Sequence, residues 1–313
     1  MTGFEEIIAS GAPVLTDGGI ETRIMFDTGI SMDPDVQVAA LTADPEGREA
    51  LRGIYAGYVD AAKQFDLPVI VGSPTFRASP AFIARAGMAP ESIESLNADA
   101  VNLLKQVRRE SGYEAVFIAG VIGPSGDAYL PEQALSKSDA TEYHQPQAAA
   151  LADAGVDFLF APTYPSVTEA EGACVAMAGT GKPHVISYIL GPDQRVLDGT
   201  SLAEATTRID AAARPLYHSL SCIHPTAAAR AIEVLRAESP EALRRLHEFK
   251  ANGSQLRTDE LIALDHPVTD GPATFAREMY ELWEPDGLRI LGGCCGTGSA
   301  HMVELGRLMA DRR

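Results

Sequence analysis

Two of the four cysteines of this chain stand side by side in "RILGGCCGTGSAHM", residues 289–302. Consecutive Cα atoms lie about 3.8 Å apart, short of the usual disulfide span. Cys294 and Cys295 therefore make a poor bridge, and metal ligation, a strained redox switch or chance remain as readings. Glycines on both sides permit unusual φ angles and close backbone approach, freedoms for which a core strand has no use. A third cysteine, Cys222, lies in "SLSCIHP". Thiolates are soft ligands that favour zinc in a tetrahedral shell. Three protein sulfurs leave the fourth position open, which marks a catalytic site. A substrate thiol suits that position and would lose its proton there, and the thiolate is the nucleophilic form. The chemistry implied is alkylation of a small thiol at neutral pH. Taken alone, Cys222 also reads as a small buried hydrophobe. His218 and His224 flank it and are further candidate ligands, whereas Cys174, in "EAEGACVAMAG", is expected to be structural.

Bringing residue 222 to residues 294–295 requires a particular scaffold. Eight short apolar runs recur along the chain, at 12–19, 67–76, 115–124, 156–165, 183–192, 215–225, 246–255 and 288–297. Helical spacing fills segments between them, at 48–65, 92–110, 138–155 and 227–238, with a last helix from near Ser299. Pro146 falls inside the third of these, so a helix is expected to start at or kink near it. Alternation of strand and helix predicts a parallel sheet covered on both faces. Eight units are what a (β/α)8 TIM barrel needs, and a chain of 313 residues suits one domain over 1–313. The competing open, doubly wound sheet normally carries a glycine-rich dinucleotide loop after its first strand. Here that place reads "DGGIETR". In a barrel, chemistry gathers at the C-terminal strand ends. Cys222 ends the sixth run and Cys294–Cys295 the eighth, one strand apart around the ring, so the three sulfurs can converge.

Composition narrows the partners. A net charge of −18 argues against nucleic acid and anionic membranes. No apolar run reaches the roughly 20 residues of a membrane helix, and the opening segment lacks the pattern of a secretory signal. Four cysteines in 313 residues form no disulfide framework. A reduced, cytoplasmic protein acting on small molecules is expected.

"LGGCCGTGSAHM" together with "SCIHP" resembles the homocysteine S-methyltransferase family. "LTDGGIETRI", "PTFRAS", "AGVIGPSGDAY", "AALADAGVDFLF" and "ANGS" match further segments of that family in the same order. The resemblance implies a (β/α)8 barrel in which Cys222, Cys294 and Cys295 hold zinc, and a methyl donor with a sulfonium centre, of the S-methylmethionine or adenosylmethionine kind. It implies that homocysteine is the acceptor and methionine the product. Asp17 and Gly18 then become candidate homocysteine-binding residues, with a plain turn as the other role of Asp17. Thr163, Phe76 and Asn252 are further substrate-binding candidates, and Tyr164 a candidate for the donor side; each also fits simple packing. The chain departs from the family where a Glu-Thr pair usually ends the fourth strand, because Pro162 precedes Thr163 here. That Glu holds the amino group of homocysteine, so Glu169 or Glu21 must substitute, or the acceptor is a different small thiol or selenol. A zinc-binding or thiol-sensing module without methyl transfer is the non-enzymatic alternative. Arg77, beside Phe76, stands where betaine-specific members carry an aromatic residue, which weighs against a quaternary ammonium donor. Ser221 replaces the Asn that usually precedes the strand-six cysteine.

Overall fold

The computed structural model describes residues 3–256, 260, 268–283 and 287–311. Eight parallel strands close into a barrel in chain order. They are β1 (Val14–Thr16), β2 (Val69–Gly72), β3 (Val116–Val121), β4 (Phe158–Tyr164), β5 (His184–Tyr188), β6 (His218–Ile223), β7 (Leu246–Ala251) and β8 (Ile290–Gly293). Each lies within one of the eight apolar runs, and the ring closes where Leu15 of β1 pairs with Leu291 of β8. The crossover helices are α1 (Pro45–Gln64), α2 (Ser92–Ser111), α3 (Lys137–Asp153), α4 (Val167–Ala178), α5 (Leu202–Ala213), α6 (Pro225–Glu238), α7 (Pro272–Glu281) and α8 (Ser299–Ala310). This is the (β/α)8 barrel expected from the alternation. No helix among the described residues is long and apolar enough to cross a membrane.

Local chemistry sets the helix starts. Asp44 accepts the Gly47 N–H at 2.6 Å, with Pro45 at the first helical position of α1. Ser201 caps α5 through the Glu204 N–H. Of the two expectations at Pro146, a helix start or a kink, the start is corrected: α3 begins at Lys137, capped by Ser136, and runs through the proline. Burial of Ala140, His144, Gln147, Ala148 and Leu151 along one face carries the helix past the single missing N–H.

Strand alternation divides the core. Leu15, Val69, Val71, Ile118, Leu159, Ile186, Leu220 and Leu291 point outward to the helices. Val14, Ile70, Phe117, Phe158, Phe160, Val185 and Ile290 form a second, inner cluster. An N-terminal helix, Phe4–Ser10, plugs the lower end of the barrel. Its Phe4 ring stacks on Phe158 with centroids 4.0 Å apart. Arg289 fixes the plug by donating from Nη2 to the Ile8 carbonyl at 2.7 Å. The other end stays polar, with Thr16, Ser187, Ser219, Ser221, Glu248 and Lys250 on the strands. The barrel therefore has a greasy floor and a polar mouth, as the strand C-terminal ends require if they are to carry chemistry.

Candidate metal centre

Two strand ends deliver the thiols. On β6 the pairing register shifts between Ser221 and Ile223, and Cys222 takes a positive φ of 57°. A bulge of this kind re-aims the side chain at its apex. Two strands back around the ring, β4 shifts register between Ala161 and Tyr164, and Thr163 takes a φ of 64°. A β-branched residue in that region stores of order 1–3 kcal/mol of strain. The two distortions face each other, because Thr163 Oγ1 donates to Cys222 Sγ at 3.7 Å.

The double cysteine follows β8 and is tied down by backbone contacts on three sides. The Cys294 N–H donates to the Ala251 carbonyl at 2.7 Å, and the Gly253 N–H donates to the Cys295 carbonyl at 2.9 Å. Thr297 Oγ1 donates to the Cys294 carbonyl at 2.8 Å and accepts the Gly19 N–H at 3.2 Å. Gly292 and Gly293 are glycines of necessity, since a Cβ there would collide with Thr16 Oγ1 or Thr297 Oγ1. Gly296 turns the chain back with a φ of 77°.

The outcome is that the sulfurs of Cys222, Cys294 and Cys295 lie within 4.8 Å of one another, each side chain half-buried. Tetrahedral zinc with bonds of about 2.3 Å would set its sulfurs roughly 3.8 Å apart. The spacing thus fits such an ion after small movements. The electrostatics fit it too. Hydrogen bonds from Cys294 and Cys295 hold the Cys222 thiol far below its ordinary pKa, while donating those protons pushes both donors up. A divalent cation would offset the repulsion among three thiolates.

The flanking histidines are used elsewhere. His218 bonds Asp210 at 3.0 Å and the Tyr188 hydroxyl at 2.9 Å. His224 bonds Asp270 at 2.8 Å and Thr226 at 2.9 Å, which straps the segment after β7 to the start of α6. Cys174 is fully buried in the outer core, where desolvation pushes its thiol up.

Around the thiols, Asp17 and Gly18 leave β1. Asp17 is buried, its Oδ2 accepting the Gly72 N–H at 2.7 Å and its Oδ1 paired with Lys250 Nζ. Burial raises the Asp17 pKa and Lys250 opposes that rise. A Cβ at Gly18 would meet Thr297 Oγ1 and the Tyr58 hydroxyl. Asn252 donates from Nδ2 to the Cys222 carbonyl at 3.0 Å, bracing the bulge, while its buried Oδ1 has no partner among the described residues. Phe76 packs at the edge of the inner cluster, with its carbonyl on the Gly123 N–H. Tyr164 is fully buried and its hydroxyl donates to the Gly123 carbonyl at 3.2 Å, so it lines no open space. Glu169 is enclosed by His144, Ser125 and Leu135, at 3.1, 2.7 and 3.3 Å. Lys250 was not singled out by the sequence. The one signal was the alternation of Glu248 and Lys250 in "HEFKA", which on a barrel strand puts both on one face.

A (β/α)8 barrel with a soft three-sulfur donor set at the C-terminal face defines an enzyme scaffold built to handle sulfur. The family model described as homocysteine S-methyltransferase matches residues 14–309. The chain belongs to the homocysteine S-methyltransferase family, and its class is that of a methyltransferase. It is 24% identical over 279 residues to the homocysteine S-methyltransferase of Escherichia coli (strain K12), covering 83% of this chain and 84% of that protein. It is also 24% identical over 328 residues to betaine–homocysteine S-methyltransferase 1 of Rattus norvegicus, covering 99% of this chain and 75% of the relative. The metallated form of the homocysteine methyltransferase MmuM from Escherichia coli superposes with a TM-score of 0.77 at 20% identity, over 96% of this chain and 98% of that one, a likeness of fold.

Proposed function

We propose that the protein is a zinc-dependent S-methyltransferase moving a methyl group from a sulfonium donor to the thiol of homocysteine, giving methionine. The observation that carries this reading is the convergence of Cys222, Cys294 and Cys295 within 4.8 Å at the barrel mouth. Zinc held by these three sulfurs would keep an acceptor thiol ionised at neutral pH. The remaining work falls to the chain itself. Thr163 and Asn252 fix the Cys222 bulge, and Thr297 and Ala251 fix the Cys294 turn, so the donor set is preorganised. Asp17, Gly18, Thr163, Phe76 and Asn252 border this mouth on four strand ends and are proposed to position the two substrates.

The acceptor sulfur attacks the donor methyl carbon in line with its bond to the sulfonium sulfur. One C–S bond forms, the other breaks, and the electron pair leaves on the donor sulfur as a neutral thioether. Departure removes a positive charge, so no general acid is required. A surface of net charge −18 draws a cationic donor inward. The four free cysteines suit a reducing compartment, and we place the protein in the cytoplasm, with the whole chain, 1–313, working as one barrel domain.

The test is a methyl-transfer assay on zinc-loaded protein with homocysteine and, in turn, S-methylmethionine, adenosylmethionine and betaine. Methionine formed from a sulfonium donor is the expected result. Absence of turnover with all three would contradict the proposal and favour a zinc-binding or thiol-sensing role.

A further inference from the structure

An α-amino acid that offers its thiol at this mouth also brings an ammonium group. That charge needs a carboxylate partner when it leaves water. The carboxylates of Asp17 and Glu21 both lie within electrostatic reach of the cysteine trio. Asp17 has no capacity to spare, because Lys250 takes one oxygen and the Gly72 N–H the other. Glu169, the acid that follows β4 in sequence, is enclosed by His144 and two backbone N–H groups. Pro162, at the end of β4, offers no charge at all.

Glu21 differs from all of these. It opens the short helix Glu21–Arg23 that follows the Asp17–Gly18–Gly19 turn. Its neighbour Thr22 accepts the N–H of Gly296 at 3.2 Å, so the start of this helix is pinned against the double-cysteine turn. Beyond its own backbone N–H, the Glu21 carboxylate engages no hydrogen-bond or ion-pair partner among the described residues. Half-buried, the Glu21 carboxylate is desolvated and its pKa raised, with its own backbone N–H and the charge of Arg77 opposing that rise. At the adjacent β2 exit, Arg77 is stacked 4.9 Å from the Phe82 ring centroid, and its charge reaches Glu21. Opposite charges on two adjacent strand exits suit the zwitterionic head of an amino acid.

We propose that Glu21 is the specificity-determining anchor for the acceptor's ammonium group. The proposal rests on the reading that the acceptor is an amino-acid thiol. Glu21 selects the acceptor by pairing with its ammonium and takes no part in breaking or forming the C–S bonds.

The experiment measures calorimetric affinity of zinc-loaded protein for homocysteine and for 4-mercaptobutanoate, which keeps the thiol, chain length and carboxylate but lacks the amino group. Wild type should prefer homocysteine by at least about tenfold, the size of a charge-assisted hydrogen bond. Glu21→Gln should bring the two affinities together by weakening homocysteine alone, with zinc content unchanged. Glu21→Asp, which keeps the charge, should retain a preference. A wild type that binds both thiols equally would overturn the proposal, as would a Gln variant that keeps the preference or weakens both thiols alike. Loss of the preference in both variants would assign the effect to side-chain length and also overturn it. Failure of wild type to bind either thiol would instead overturn the acceptor reading on which it rests. Turnover of homocysteine with a preference that survives in Glu21→Gln would leave that reading intact and sink Glu21 alone.

Discussion

Cys294 is proposed to do more than ligate zinc, since its carbonyl and N–H also tie β8 to Thr297 and Ala251. Cys294→Ala keeps both backbone ties and removes only a sulfur. It should lower zinc content to well under one ion per chain and abolish methyl transfer, as metal analysis and the assay would show. Full activity in a zinc-free Cys294→Ala protein would contradict the mechanism. Lys250 makes a separate prediction. Its ammonium, raised in pKa by Asp17 and Glu248 against the pull of burial, is the counter-charge of the buried Asp17. Lys250→Met leaves that carboxylate alone and should cost on the order of 3 kcal/mol in urea unfolding. A loss below about 1 kcal/mol would mean that Asp17 is neutral or solvated. At this scale the cysteines were legible, because adjacent thiols between glycines have few other uses. The Asp17–Lys250 pair was not, since a Glu–Lys alternation on a strand reads equally well as a solvated edge until barrel closure decides which face is inside.

The elements place those residues through close backbone contact. Thr297 joins the β8 turn to the β1 turn by bonding the Cys294 carbonyl and the Gly19 N–H at once. A side chain at Gly293 would occupy the position of Thr297 Oγ1. Gly293→Ala should therefore weaken zinc binding by at least about tenfold, at the cost of one lost hydrogen bond or more, while far-ultraviolet dichroism stays barrel-like. Competition against a chromophoric chelator measures it, and unchanged zinc affinity would mean that the turn tolerates the displacement. All eight strands were readable as apolar runs, because buried parallel strands need no alternation to be recognised. The Phe4–Ser10 plug was not, as its few apolar residues gain meaning only beneath a barrel. Nor were the bulges at Thr163 and Cys222: nothing in the residue types asks for positive φ there, and only the closed ring imposes it.

On the scale of the molecule, charge and burial act together with pH. Burial pushes the Glu248 carboxyl up to about 7, with Lys250 working against the rise. Its folded state thus holds a proton that the unfolded chain, whose carboxyl titrates at the ordinary 4.5, has released over the interval between. The group therefore favours folding least above pH 7, and its contribution improves as pH falls towards about 4.5. The net charge of −18 acts in the same direction, because acid relieves self-repulsion. Burial lowers the pKa of His184, His218, His247 and His301, which pull the other way over the same interval, so the group is read by difference: the urea stability of wild type relative to Glu248→Gln should rise as pH is lowered from 8 to 6. A wild type that gains nothing on Glu248→Gln over that interval would contradict the assignment.

Zinc-edge X-ray absorption on the purified holoprotein, with and without homocysteine, tests the central claim most directly. The account predicts three sulfurs and one lighter atom around the metal at rest, becoming four sulfurs at about 2.3 Å when the thiol is added. A resting shell with fewer than three sulfurs, or one that homocysteine leaves unchanged, would contradict it.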